Sequence, residues 1–306
     1  MTSPSGLVCV VGSLNDDITL SVGALPAPGE TTLTQGVRST SPGGKGANQA
    51  AAAAVLGARV IMVGAVGADE PGERSLAALR QHDVDLTGVV RRPGARTGVA
   101  VITVDAEGEN TIVVDAGANA SLTAQEAAQA VTAARPAVLL LQLEVPLDAV
   151  QAAAAAAAGA VVVLNPAPMP PDPGPVRELL RLVDVLVPNR SELGRLAGRP
   201  EPTDVVEVAA CVAALDHPGG VVVTLGAGGA VCFDRGAEPV VVPGLPTATR
   251  DASGAGDVFC GCLAQQLAAG VGLFEAVRRA NTLAAASTAH PGARLRADLP
   301  ELAATS

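Results

Sequence analysis

The stretch TRDASGAGDVFCGCLAQQLAAG, Thr249 to Gly270, sets Gly254, Ala255 and Gly256 directly before a carboxylate, Asp257. Beyond Asp257 the chain becomes an apolar run that reads as a buried helix. Small residues leave backbone N–H groups open at a helix N-terminus, where those groups and the helix dipole favour an anion. An aspartate gains from that dipole by itself, so helix stabilisation is the plainer reading of Asp257. A resident phosphate, however, would be repelled by it. The pairing makes chemical sense if the anion is transient. Amides then stabilise charge developing on a transferring phosphoryl group, while the carboxylate accepts the proton of the attacking hydroxyl. This is a phosphotransferase arrangement, with Asp257 as base and Gly254 to Gly256 as anion hole.

The elements that must position these groups alternate along the chain. LVCVVGS (Leu7–Ser13) reads as a buried strand, KGANQAAAAAVLG (Lys45–Gly57) as a helix stopped by Gly57, and RVIMVGAVG as a strand. PGERSLAALRQHD reads as the next helix. Helices over about 123–134, 147–158, 175–182, 190–197 and 204–215 interleave with strands over about 137–142, 160–164, 184–187 and 220–225. A hairpin over about 229–242 and helices near 255–269 and 273–289 complete the order. Such alternation predicts a three-layer α/β/α fold with a mostly parallel central sheet. Two excursions, about 15–40 and 97–115, alternate polar and apolar residues and predict a small separate sheet. Within them ITLSV, TLTQGVRST and the two halves of TGVAVITVDAEGENTIVVDAG read as strands. The whole chain, 1–306, is expected to form a single domain carrying that insertion.

Ligands of open parallel sheets bind beyond the carboxyl ends of the strands. Asn15, Asp16 and Asp17 come after the first strand, Glu144 after the strand near 137–142, Asn165 after the next, PNRSE after the next, and Gly226, Gly228 and Gly229 after the last. SPGGKGANQA (Ser41–Ala50) has the look of a phosphate loop but lacks the Ser or Thr after its lysine. Its Gly43-Gly44 pair permits close backbone approach to a small ligand or, equally, a tight turn that caps a helix. No strand carries a G-x-G-x-x-G fingerprint, which counts against a nicotinamide dehydrogenase.

Composition narrows the field further. A formal charge of −10 disfavours nucleic acid. No segment reads as a membrane span or a signal peptide, since the apolar part of QAAAAAAAGAVVVL is broken by Gly159. The five cysteines and three histidines, His82, His217 and His290, show no metal spacing, and reduced buried thiols suit a cytoplasmic protein. The only aromatics are Phe233, Phe259 and Phe274, which leaves little for stacking a base in an acceptor site.

Four separated pieces, GSLNDD (Gly12–Asp17), GGKGANQA (Gly43–Ala50), EGENTIVVDAGAN (Glu107–Asn119) and DASGAGDVFCG (Asp251–Gly261), resemble the ribokinase-like family of sugar kinases. LVPNRSE and VTLGAGG fall in the expected order, and the likeness covers about 6–295. The resemblance implies a β-sheet lid over the α/β core, often also a homodimer contact. It implies transfer of the ATP γ-phosphoryl group to a sugar's primary hydroxyl. The EGEN piece favours ribose, giving ribose 5-phosphate, with deoxyribose, fructose or 2-keto-3-deoxygluconate as alternatives. By the same resemblance Asn15, Asp17, Gly43, Gly44, Asn48 and Glu144 hold the sugar, together with Lys45, a helix-start residue given no catalytic role. Asn189, Thr224, Gly226, Gly229, Gly256 and Asn281 belong to the nucleotide. Glu192 serves Mg²⁺ through water. Asp251, Ser253, Ser287, His290 and Gly292 match a monovalent-cation site, but Arg296 stands where the family usually has a serine. K⁺ activation therefore stays open, since the guanidinium either points away or takes the cation's place. Asp16 is expected to point away from the sugar. Arg38 and Arg96 are the only candidate cations for a phosphorylated acceptor. A sugar-binding protein without catalysis is the rival from another class, and the intact Asp257 loop speaks against it.

Overall fold

The computed structural model describes residues 6–296 and Leu299. Its strands are β1 (Leu7–Val11), β2 (Asn15–Ser21), β3 (Ser39–Gly43), β4 (Arg59–Gly67), β5 (Asp85–Arg92), β6 (Gly98–Val104), β7 (Asn110–Asp115), β8 (Val138–Leu141), β9 (Val161–Leu164), β10 (Val185–Leu186), β11 (Gly220–Thr224), β12 (Gly229–Phe233) and β13 (Val240–Pro243). Its α-helices are α1 (Lys45–Val55), α2 (Glu70–Arg80), α3 (Ala124–Ala134), α4 (Leu147–Ala156), α5 (Gly174–Leu179), α6 (Arg190–Ala197), α7 (Val205–Ala213), α8 (Ala255–Ala268) and α9 (Leu273–Ser287).

Nine strands form one sheet in the order β13-β12-β11-β10-β9-β8-β1-β4-β5, parallel except where β12 and β13 turn back at one edge. The alternation of LVCVV explains the two layers. Val8 and Val10 point into one core with the alanines of α1 and with Phe259 and Leu263 of α8. Cys9 and Val11 point into the other with Val131 of α3, Ala149 of α4 and Leu193 of α6. Period-two alternation in a strand covered on both faces feeds two cores at once.

The small sheet runs β3-β2-β6-β7 and joins the two excursions, as expected. Two details differ from the sequence reading. TLTQGVRST does not form a strand along its length: residues 31–38 are exposed without regular structure, and β3 begins at Ser39 and continues to Gly43. Alternation there reflects an exposed loop, while Pro42 is tolerated because β3 lies at the sheet edge. β5 has no counterpart in the sequence reading. Its DLTGVVRR carries a glycine, lies at the sheet edge beside β4 and has a register shift opposite Ile61–Val63, so its apolar pattern is weak.

One contact sets the geometry of the site. α1 packs on α8 at nearly backbone distance, because a Cβ at Gly261 would lie 2.5 Å from the Gln49 carbonyl and 2.7 Å from Ala52 Cβ. Alanine, the best helix former, keeps α1 both helical and thin. The first turns of the two helices thereby meet over the carboxyl end of β1.

Candidate active site

Asp257 lies in the first turn of α8, and consecutive residues of α1 hold both its oxygens. Asn48 Nδ2 donates to Oδ2 at 3.2 Å, and Gln49 Nε2 donates to Oδ1 at 3.0 Å. Gln49 is itself fixed, since its Oε1 accepts from Gln142 Nε2 at 2.6 Å and its Nε2 also lies 3.3 Å from Asn165 Oδ1. The carboxylate therefore has a set orientation at the end of a buried amide chain.

The loop before α8 turns through Gly254, whose φ of 71° is left-handed. A Cβ there would lie 2.1 Å from the Ala293 carbonyl, so only glycine fits. Of the three residues expected to form an anion hole, Ala255 directs its N–H back to the Ala252 carbonyl at 3.3 Å. Gly256 is the open one: no neighbour lies within 4 Å of where its Cβ would be. It lines two adjoining cavities, as does Thr224. The smaller, about 150 Å³, is polar and holds Lys45, Asn165, Asn189, Glu192 and Asp257. The larger, about 640 Å³, is lined by Gly226, Gly229, Leu245, Phe259 and Asn281. Asn281 Nδ2 donates to the Pro243 carbonyl at 2.9 Å.

Lys45 has more than a helix-start role in this geometry. Burial alone would lower its pKa, but Asp257, Glu144 and Glu192 outweigh that and the net shift is upward. Its ammonium is the positive charge of a cleft walled by carboxylates. Asn189 and Glu192 form a reciprocal capping box at the start of α6, with Glu192 N–H to Asn189 Oδ1 at 2.8 Å and Asn189 N–H to Glu192 Oε2 at 2.9 Å. The N-x-x-E spacing thus has a structural use of its own. Burial pushes the Glu192 pKa up, against a hydrogen bond from Asn189 and the charge of Lys45.

Asp17, Asn48 and Glu144 gather near Asp257 as well. A Cβ at Gly43 would fall about 2.0 Å from Asp17 Oδ2, so Gly43 makes the space that this carboxylate occupies. Gly44, at φ 90°, lets the chain enter α1 against the backbone of Ser13 to Asn15. Glu144 is fixed by the Ser13 hydroxyl and by the Lys45 N–H, the latter at 3.1 Å. Asn15 is buried, and its Oδ1 accepts from Asn119 Nδ2 at 2.7 Å, which ties β2 to the segment after β7. Asp16 does point elsewhere: both its oxygens accept from Arg74 Nη2, at 3.0 and 2.9 Å. Burial first, then Glu144, raises the Asp17 carboxyl to about 6, with Asp257 and Asp16 adding to the rise and Arg294 opposing it.

The two loops assigned to a monovalent cation do adjoin. Asp251 Oδ1 accepts from the Ser253 N–H at 2.9 Å and Oδ2 from the Gly292 N–H at 2.8 Å. The Asp251 N–H donates to the Thr288 carbonyl at 3.0 Å, and the His290 N–H to the Ser287 carbonyl at 3.1 Å. Arg296 is exposed.

Sequence reasoning missed Ser13, Gln49, Asn119 and above all Arg294. Gln49 sits inside the GGKGANQA motif, one residue after Asn48, where helix spacing could have placed it toward α8. Arg294 carries no local signal, because only the fold brings it to Asn48. Arg38 is exposed, and no hydrogen bond or ion pair links Arg38 or Arg96 to this pocket among the described residues.

The carbohydrate-kinase family model of pfkB type matches residues 5–300. The chain belongs to the pfkB family of carbohydrate kinases. It is 37% identical to the ribokinase of Haemophilus influenzae, with 93% of each chain covered. It is 34% identical to the deoxyribokinase of Salmonella typhi, again over 93% of each. The structure of Arabidopsis thaliana ribokinase complexed with ribose and ATP superposes with a TM-score of 0.85 at 32% identity, covering 99% of this chain and 100% of that one. The expected family and fold class are therefore borne out, and the protein is an ATP-dependent sugar kinase. No helix among the described residues is long and apolar enough to cross a membrane.

Proposed function

We propose that this kinase transfers the γ-phosphoryl group of ATP to the 5-hydroxyl of D-ribose, giving ribose 5-phosphate and ADP. The observation that carries the reading is the position of Asp257. Its carboxylate lines the cleft of Lys45, Thr224 and Gly256, accepts a hydrogen bond from Asn48 and lies close enough to Asp17 for its charge to be felt there together with that of Glu144. The sugar lies against Asp17, Asn48 and Glu144 and the triphosphate in the cleft, with the nucleoside in the larger cavity lined by Gly226, Gly229 and Asn281. Asp257 takes the proton of the primary hydroxyl. The Gly256 amide and Lys45 stabilise charge on the phosphoryl group in flight, and Asn48 and Gln49 hold the base in place. Carboxylates and amides at Asp17, Asn48 and Glu144 suit the hydroxyls of a neutral sugar. The relatives named as ribokinases support ribose as that sugar.

Mg²⁺ fits the small cavity. The carboxylate of Glu192, with Asp257 in the same cavity and the amide oxygens of Asn165 and Asn189 nearby, belongs to the sparse oxygen set that this ion accepts when phosphates and waters complete its shell. When bound it would offset phosphate charge. The adjoining loops around Asp251 and Gly292 support monovalent-cation activation, since Asp251 accepts from the N–H groups of both Ser253 and Gly292. The enzyme works in the cytoplasm as one kinase domain whose small sheet covers the sugar and pairs with a second copy.

The test is coupled ADP release with Mg-ATP against ribose, deoxyribose, fructose and 2-keto-3-deoxygluconate, with Na⁺ or K⁺ as the salt. Preference for ribose with stimulation by K⁺ is expected. Preference for another sugar would refute the substrate, and equal rates in both salts would refute the cation site.

A further inference from the structure

Two buried polar atoms beside the proposed sugar pocket lack any partner, and they are of opposite sense. Asp17 Oδ1 is an acceptor without a donor, and Arg294 Nη2 is a donor without an acceptor. Leaving such atoms unpaired costs about 1–3 kcal/mol each, more for charged groups. Native proteins seldom keep them without a use. The two groups feel each other's charge, since Arg294 lowers the Asp17 pKa and Asp17 raises that of Arg294 against the fall caused by burial.

Arg294 is also held in place. Its Nε donates to Asn48 Oδ1 at 3.2 Å, and Asn48 in turn donates to the base. The preceding residue, Ala293, packs against Gly254, and the Gly292 N–H is bound to Asp251. The guanidinium is thus presented from the loop after α9 to the same amide that orients Asp257. A hydroxyl group is the chemistry that satisfies both orphans at once, because its oxygen accepts while its proton donates. An anionic substituent would satisfy only the arginine and would add charge beside Asp17, Glu144 and Asp257.

Resting on the reading of this site as a ribose pocket, we propose that Arg294 is a substrate-contacting residue that sets specificity. Its Nη2 donates to the oxygen of one secondary hydroxyl of the sugar, and that hydroxyl donates its proton to Asp17 Oδ1. A sugar lacking this hydroxyl leaves a carboxylate and a guanidinium both unpaired, which is the strongest form of rejection a polar site offers. Arg294 thereby contributes to the choice between ribose and deoxyribose, two sugars that otherwise present the same primary hydroxyl to Asp257.

The experiment compares kcat and KM for ribose, 2-deoxyribose and 3-deoxyribose in the full-length wild type, Arg294→Met and Arg294→Gln. Wild type is expected to prefer ribose over at least one deoxy sugar. Arg294→Met should lose roughly 10–100-fold in kcat/KM with ribose, mostly through KM, and far less with that deoxy sugar, so the preference collapses. A purely structural role, acting through Asn48 on the base, would instead lower kcat equally with all three sugars, and that result overturns the proposal. So does unchanged ribose kinetics. Arg294→Gln keeps a donor and should fall between the two, which guards against misfolding of the methionine variant. If wild type phosphorylates a different sugar, the substrate reading fails by itself, and the same comparison with that sugar and its deoxy forms still decides the role of Arg294. A wild type silent on every sugar overturns both.

Discussion

Replacing Asp257 by asparagine changes one atom, yet the surroundings of the carboxylate make the cost calculable on two separate scales. The first is catalytic. A positioned general base contributes about 10²–10⁴-fold, or roughly 3–5 kcal/mol of barrier. Asparagine cannot accept the hydroxyl proton, so kcat should fall by that factor. The second is structural. Asn48 Nδ2 and Gln49 Nε2 are both donors, and neither can flip freely, because Asn48 Oδ1 accepts from Arg294 and Gln49 Oε1 from Gln142. An amide at 257 offers one acceptor and one donor, so one N–H must face another N–H in a buried site. That costs about 1–3 kcal/mol. With an unfolding entropy of about 2.1 cal/mol/K per residue, a chain of 306 residues should then melt about 2–5 °C lower. Coupled ADP release at saturating sugar and ATP measures the first effect, and a thermal melt in the same buffer the second. Turnover within tenfold of wild type would remove Asp257 as the base. An unchanged melting temperature would show that the Asn48–Gln49 clamp does not hold the carboxylate as described.

The same geometry fixes further outcomes. The Asp17 carboxyl, raised to about 6, holds its proton more tightly in the folded protein than unfolded, so it is neutral below that pH and ionised above. KM for ribose should therefore rise as pH falls below about 6, and this rise should vanish in Asp17→Asn; a KM in that variant that still tracks pH would assign the titration elsewhere. The sign for stability is opposite to that of a salt-bridged aspartate: the Asp17 contribution is largest at low pH and is lost as pH rises from about 4 to about 6, so Asp17→Asn should melt higher than wild type at pH 8. Gly254→Ala must displace the Ala293 carbonyl or abandon a φ of 71°, and should cost activity together with several degrees of melting temperature; wild-type behaviour in both would mean that the loop tolerates rearrangement. Val113→Asp places a charge on β7, an edge strand with Ile112, Val113 and Val114 all exposed, and should convert a dimer to a monomer by light scattering; a monomeric wild type would refute the interface.

Much of the fold is legible in the sequence because its signals are local. The apolar run of β1, the alanines of α1 and the glycine stops each specify an element within a dozen residues. β5 and the segment before β3 are not legible, since one is a sheet edge with a glycine and the other alternates without a partner. The site divides along the same line. Asp257, Gly254 and Asn48 stand in compact motifs, and Glu144 stands at the carboxyl end of a strand, a position that already points to a ligand. Gln142, Asn119 and Arg294 have meaning only through contacts spanning 93, 105 and 246 residues, which no spacing rule reveals. The N-x-x-E pair shows the opposite hazard, since one spacing serves a capping box and a place in the small polar cavity together.

Which oxygen is phosphorylated, and from which donor, is the central question for this enzyme. Incubation with ¹³C-labelled ribose and Mg-ATP, and ³¹P and ¹³C NMR of the product, tests it most directly. One phosphomonoester whose phosphorus couples to C5, formed in equal amount with ADP, is the expected result. Phosphate on the anomeric oxygen, or ADP release without any phosphosugar, would contradict it.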